Sequence, residues 1–147
     1  MLERFKNNLT KLTQGEMQQF TEAAVKELAG RLLRKVVMRT PVYKHIPGDV
    51  NARVGGTLRR GWTIGSVVKQ GEEYSIEVYN LVSYALYVEY GHRGVYVPSL
   101  GKTLHLNRRW TMGKFMLFIS EQELKRDGPA ILERKLRAFV RERFSGY

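Results

Sequence analysis

The chain reads as an α+β protein: a long N-terminal helix and a C-terminal helix packed on a small antiparallel β-sheet with two long loops, all in one domain over residues 1–147. Three observations predict this. Apolar residues recur at helical spacing near both ends, residues in the middle alternate as a half-buried strand does, and the strand-forming stretches cluster together instead of alternating with helices.

Residues 1–12 form a short amphipathic segment, with Leu2, Phe5, Leu9 and Leu12 three and four apart. One such stripe is too short to hold a helix alone and implies a partner surface. Thr13-Gln14-Gly15-Glu16 matches a capping box, so a second helix is expected to begin there. Its apolar face is Phe20, Ala24, Leu28, Leu32 and Val36, flanked by Val25, Ala29 and Val37, and Pro41 should end it because proline disfavours helical geometry at Thr40. A long loop, 43–61, follows, built on Pro47-Gly48-Asp49 and Gly55-Gly56.

Strands are expected from Trp62 to Val68, with Gly65 as a bulge, and from Tyr74 to Tyr79, where Tyr74, Ile76 and Val78 alternate with Ser75, Glu77 and Tyr79. Gln70-Gly71-Glu72-Glu73 would connect them as a hairpin. Residues 84–90 fit either a strand or one to two helical turns. A second long loop, 91–111, is expected next, then a strand over Lys114–Ile119. Ser120-Glu121-Gln122-Glu123 matches a second capping box and should open a short helix that breaks near Gly128. Pro129 is well placed to start a final helix, with Leu132, Leu136, Phe139, Val140 and Phe144 as its buried stripe.

Composition narrows the function classes. The absence of cysteine excludes disulfides, iron–sulfur clusters, cysteine zinc sites and cysteine nucleophiles. No apolar run approaches the roughly 20 residues that cross a bilayer, and the N-terminus lacks a secretory layout, so the chain is expected to start in the cytoplasm, with no membrane partner. The net charge of +11 favours a polyanionic neighbour: nucleic acid, a membrane surface or an acidic protein face.

No catalytic serine motif, P-loop or dinucleotide fingerprint is present, and no cofactor is implied. The three histidines, His45, His92 and His105, fall in expected loops, and Glu89-x-x-His92 reads more simply as a hydrogen-bonded histidine than as a metal site. Arg59-Arg60 and Arg108-Arg109 lie beside Trp62 and Trp110, where charge and stacking together could meet nucleic acid; solvation or salt bridges to a neighbouring subunit explain them more simply. Tyr84, Tyr87, Tyr90 and Tyr96 crowd one region, and tyrosine is enriched at protein interfaces.

Four stretches, in order, resemble the HK97 gp10-like phage proteins. They are Thr40-Pro41-Val42 at the end of a long helix, Gly56-Thr57-Leu58-Arg59-Arg60-Gly61-Trp62, Tyr84 through Arg93, and Gly113 to Leu124, the last resembling a subgroup from contractile-tail prophages. The chain departs from that pattern where Tyr43 to Gly55 separate the first two stretches and an aspartate is missing. The resemblance implies a non-enzymatic neck or tail-completion protein that joins head to tail as a ring, often a hexamer, around the DNA channel. Expected partners are further copies of the chain, other neck and tail proteins, and DNA contacted without sequence readout; the expected location is the virion, at the head–tail junction or tail end, after assembly in the host cytoplasm. The assembly surface would draw on Arg59, Arg60, Trp62, Tyr84, Tyr87, Glu89, Tyr90, His92, Arg93, Arg108, Arg109 and Trp110.

Other readings compete. A tail terminator would cap the tail tube. A basic nucleic-acid-binding module would bind free nucleic acid with strong salt dependence. A small toxin-type ribonuclease would rely on Arg59, His92 and Arg93, although no base–acid pair is identifiable.

Overall fold

The computed structural model describes residues 2–4, 14–42, 55–93, 95–97, 102–104 and 110–145. Residues 2–4 are helical; the rest of the expected N-terminal stripe, and Tyr43 to Val54 of the first long loop, lie outside the described residues. Helix α1 spans Gln14–Arg39, with Glu16 in its first turn and Arg39 in its last, each complementing the helix dipole. Its expected stripe faces inward: Ala24, Ala29 and Val36 are buried, and Phe20, Leu28 and Leu32 half-buried. The helix stops where Pro41 requires, with the Thr40 hydroxyl donating back to the Val36 carbonyl at 2.6 Å.

The stretch expected as loop contains one helical turn, α2 (Thr57–Arg60), entered through Gly56 at a φ of 92°. It seats Leu58 in the core beside Val36 and Met116.

A broken hairpin follows. Strand β1 (Trp62–Ile64) pairs antiparallel with β4 (Val78–Asn80), and β2 (Val68–Gln70) with β3 (Glu73–Ser75). Three residues, 65–67, oppose two, 76–77, so the first arm bulges just after Gly65, whose N–H donates to the Glu77 carbonyl at 2.8 Å. Tyr74, Ile76 and Val78 are half-buried while Ser75, Glu77 and Tyr79 are exposed, as the alternation predicted. Helix α1 packs on this hairpin through β1, β3 and β4.

Residues 85–90 are helical, as α3 (Ala85–Tyr90), ended by Gly91 at a φ of 89°. The stretch 91–111, expected to be irregular, carries strand structure: β5 (Gly91–Arg93) pairs with β8 (Trp110–Met112), and β6 (Val95–Val97) with β7 (Lys102–Leu104), both antiparallel. Val95-Tyr96-Val97 and Trp110-Thr111-Met112 are strand-forming residues, which the reading of this stretch as loop passed over.

Helix α4 runs unbroken from Met116 to Phe144 and corrects three expectations. The expected strand at 114–119 is the start of this helix, because Met116 and Ser120 are one turn apart and both fully buried. Pro129 sits inside the helix instead of starting one. An interior proline costs about 3 kcal/mol. Contacts to the antiparallel α1 on both sides of it hold the axis together: Glu123 with Lys35 and Arg39 before it, Lys135 with Glu27 and Phe139 against Phe20 after it. Third, of the expected stripe Phe139 and Phe144 are half-buried but Leu132, Leu136 and Val140 are exposed, and Phe139 instead shares its inward row with buried Ile131 and half-buried Lys135.

Candidate assembly surface

Thr40 anchors the first two resemblance stretches to each other. Its hydroxyl, while donating to Val36, accepts the indole N–H of Trp62 at 2.7 Å. Its carbonyl accepts from the Arg59 guanidinium at 2.8 Å. Asn80 locks the other side, donating to the Leu58 carbonyl at 2.8 Å while its own oxygen accepts from the Val82 N–H at 2.9 Å. Arg59 and Trp62, expected at an assembly surface, are thus half-buried parts of an internal joint. Arg60 is exposed and reaches back to the Gly55 carbonyl at 3.3 Å.

Glu89 joins the other two stretches. It is 5% exposed. Its two carboxylate oxygens accept from the Leu117 and Phe118 backbone N–H groups, each at 2.9 Å. These are donors of the first turn of α4, which a preceding Ser, Thr, Asp or Asn normally satisfies. The residue in that position is Phe115, which has no such side chain and adopts left-handed backbone angles, φ 48° and ψ 43°. A carboxylate from α3 therefore caps α4 and places negative charge at its positive end. Gly113 permits the approach: a Cβ there would overlap the Glu89 carbonyl oxygen and the Tyr90 backbone. Lys114 and Phe115 N–H groups donate to the Val88 and Glu89 carbonyls at 2.7 and 3.0 Å. Glu89 therefore belongs to the interior, where both its oxygens cap α4. Among the described residues no cluster of three or more His, Asp or Glu could hold a metal ion, and no helix is long and apolar enough to cross a membrane.

The clamp pushes an aromatic group outward. The Phe115 ring lies edge-on to Tyr90 and Phe118, at centroid distances of 6.5 and 6.3 Å. Tyr90 and Phe118 are each more than half exposed, as are Leu86 on α3 and Trp110 and Met112 on β8. Met112 lies opposite Gly91, one residue beyond Tyr90, and Trp110 shares its strand face, which extends the surface along the β5–β8 pair. An apolar surface of this kind marks an interaction site more often than a free face.

The expected site residues therefore divide. Tyr87, Tyr90 and Trp110 sit on the exposed surface, whereas Tyr84 turns inward onto the core and parts from the other two tyrosines. His92 and Arg93 lie on β5 next to that surface, with side chains outside the described residues, as are Arg108 and Arg109. Sequence reasoning missed Leu86, Met112, Phe115 and Phe118. The signal for Phe118 was present in Phe115-Met116-Leu117-Phe118-Ile119, an apolar run longer than one buried helical face can absorb.

The α+β fold thus carries an open aromatic surface over internal joints that coincide with the sequence stretches named above. A family model, "Bacteriophage HK97-gp10, putative tail-component", matches residues 3–91, and the chain belongs to this HK97-gp10-like family, a phage tail-related structural component of the virion that meets other phage structural proteins. No curated protein and no solved structure matches the chain.

Proposed function

We propose that the chain is a non-enzymatic neck or tail-completion protein that joins head to tail, as a ring of copies, a hexamer, around the DNA channel. The observation that carries this reading is the exposed aromatic surface of Tyr87, Tyr90, Phe118, Trp110 and Met112. Tyrosine, tryptophan, phenylalanine and methionine are the types that interfaces concentrate and free surfaces avoid. A ring of identical subunits needs a head-to-tail contact that closes. The net charge of +11 supports a place beside DNA, where lumen-facing basic side chains would offset phosphate charge without reading sequence.

Deleting the gene from its phage or prophage and imaging the particles tests this. DNA-filled heads beside separate tails of normal length are the expected result. Tails of abnormal length would assign the chain to tail termination instead, and intact infectious particles would refute the structural role.

A further inference from the structure

Helices α1 and α4 lie antiparallel, and their contacts fix which residues stand level. Glu27 pairs with Lys135 at 2.9 Å; nearer the core, Lys35 and Arg39 pair with Glu123 at 2.9 and 2.6 Å. Midway between these pairs, Gly30 of α1 stands level with Gly128-Pro129 of α4. Glycine and proline are the two poorest helix formers. Packing requires neither glycine, since a Cβ at Gly30 or Gly128 would meet nothing within 4 Å, and neither has a positive φ. Pro129 offers no N–H to the Lys125 carbonyl, and its ring crowds that turn. Gly128 eases the clash that a proline makes with the residue before it, which accounts for that glycine but not for Pro129 or Gly30.

The two sides of this level are packed differently. The fully buried side chains Val36, Thr40, Met116 and Ser120 all lie on the core side. On the far side, where residues 14–27 meet 133–144, the helices touch through Phe20 and Phe139, 4.8 Å apart, and through the Glu16–Arg143 pair at 2.7 Å. Two grooves flank that end. One, of about 320 Å³, lies between the helices beside Phe20 and Phe139; the other, of about 470 Å³, lies between Glu22 and Lys26 of α1 and the hairpin bulge at Ser66 and Val67. We propose that the helix pair carries a hinge at Gly30 and Gly128-Pro129, about which the far end pivots as a unit while the core and the aromatic surface stay fixed. The ion pairs and the ring contact hold the two helices to each other but not straight, because each lies wholly on one side of the hinge. Proline is a common site of sharp helix bends. The hinge rests on the fold alone and stands whether or not the chain joins head to tail.

The chain has no cysteine, so introduced cysteine pairs place spin labels uniquely. Gln19, Arg60 and Arg141 are exposed, the first and last on the far end and Arg60 beside the core. About 16 Å of helix separates Gln19 from Gly30, so a pivot of about 20° moves it by about 6 Å. Pulsed electron paramagnetic resonance on the full chain carrying Gln19→Cys/Arg60→Cys should give distances spread over about that range, and the Gln19→Cys/Arg141→Cys pair a narrow distribution. Adding Gly30→Ala, Gly128→Ala and Pro129→Ala should collapse the first distribution to one narrow peak, with helical circular dichroism kept or increased, and Pro129→Ala alone should narrow it partway. Equal widths for the first pair with and without these substitutions would overturn the proposal. So would an equally broad spread between positions 19 and 141, since the two helix ends would then fray separately instead of pivoting together.

Discussion

Replacing Glu89 should be among the most damaging single changes in the protein, although no partner touches it. Glu89→Ala removes the acceptors for the Leu117 and Phe118 N–H groups at a site only 5% exposed. Each buried donor left unsatisfied costs about 1–3 kcal/mol, and losing a helix N-cap costs about 1 kcal/mol in simpler settings. The two donors are one cap, so the cap loss is not added again and the two together come to about 2–6 kcal/mol, a large share of the roughly 5–15 kcal/mol that stabilises a domain. Glu89→Gln keeps one oxygen but turns an amide NH2 toward the other N–H, for a loss of about 2 kcal/mol. For a domain near 150 residues each kcal/mol shifts the midpoint about 2–4 °C, so Gln should lower Tm by roughly 4–8 °C and Ala by more. Thermal unfolding followed by far-ultraviolet circular dichroism, with urea midpoints as a second probe, measures this. If both variants unfold within about 0.5 kcal/mol of the parent, the size expected of an ordinary surface change, the clamp is not what fixes the start of α4.

Three further outcomes follow from the same structure. Gly113→Ala should fail to fold or lose several kcal/mol, because the added methyl meets backbone that cannot swing aside; yield and urea midpoint check it. Thr40→Val should cost about 1–3 kcal/mol by stranding the Trp62 indole N–H, and Trp62→Phe made in that background should cost less than it does alone. Arg39, and then Lys35, hold the Glu123 carboxyl at about 2 against an ordinary 4.5. A depressed carboxylate contributes stability above its unfolded pKa and loses it as pH falls through the folded one. Unfolding free energy should therefore drop between about pH 4.5 and pH 2, and Glu123→Gln should flatten that part of the profile.

Much of the fold was legible because its cause was local. The α1 stripe and the stop at Pro41 lie within one run of sequence, as do the alternation from Tyr74 to Tyr79 and the turn at Gly71. The errors fell where distant contacts decide. Nothing near Met116 announces a helix start, since its cap comes from Glu89. Pro129 should have broken the helix, and does not, because α1 binds α4 on both sides of it. The expected stripe mixed the row at 132, 136 and 140 with Phe139 of the row at 131, 135 and 139, one residue away in register; separating them required knowing that the Lys135 stem packs inward to reach Glu27. The candidate surface was half legible. The tyrosine cluster drew attention to α3, but a residue count could not separate Tyr84 and Glu89, which hold the fold, from Tyr87 and Tyr90, which face outward. The four stretches that carry the resemblance, of which Gly113 to Leu124 lies beyond the matched residues 3–91, meet in two internal joints, Thr40 with Arg59 and Trp62, and Glu89 with Gly113 and the start of α4.

The central claim is that the aromatic surface assembles the particle while the joints beneath it hold the chain. Complementing the gene deletion with Tyr90→Ser/Phe118→Ser tests this most directly, because both side chains are more than half exposed and their loss should move the unfolding midpoint little. The account predicts a folded variant protein and, by electron microscopy, filled heads lying beside separate tails of normal length. Intact, infectious particles from that folded variant would contradict it.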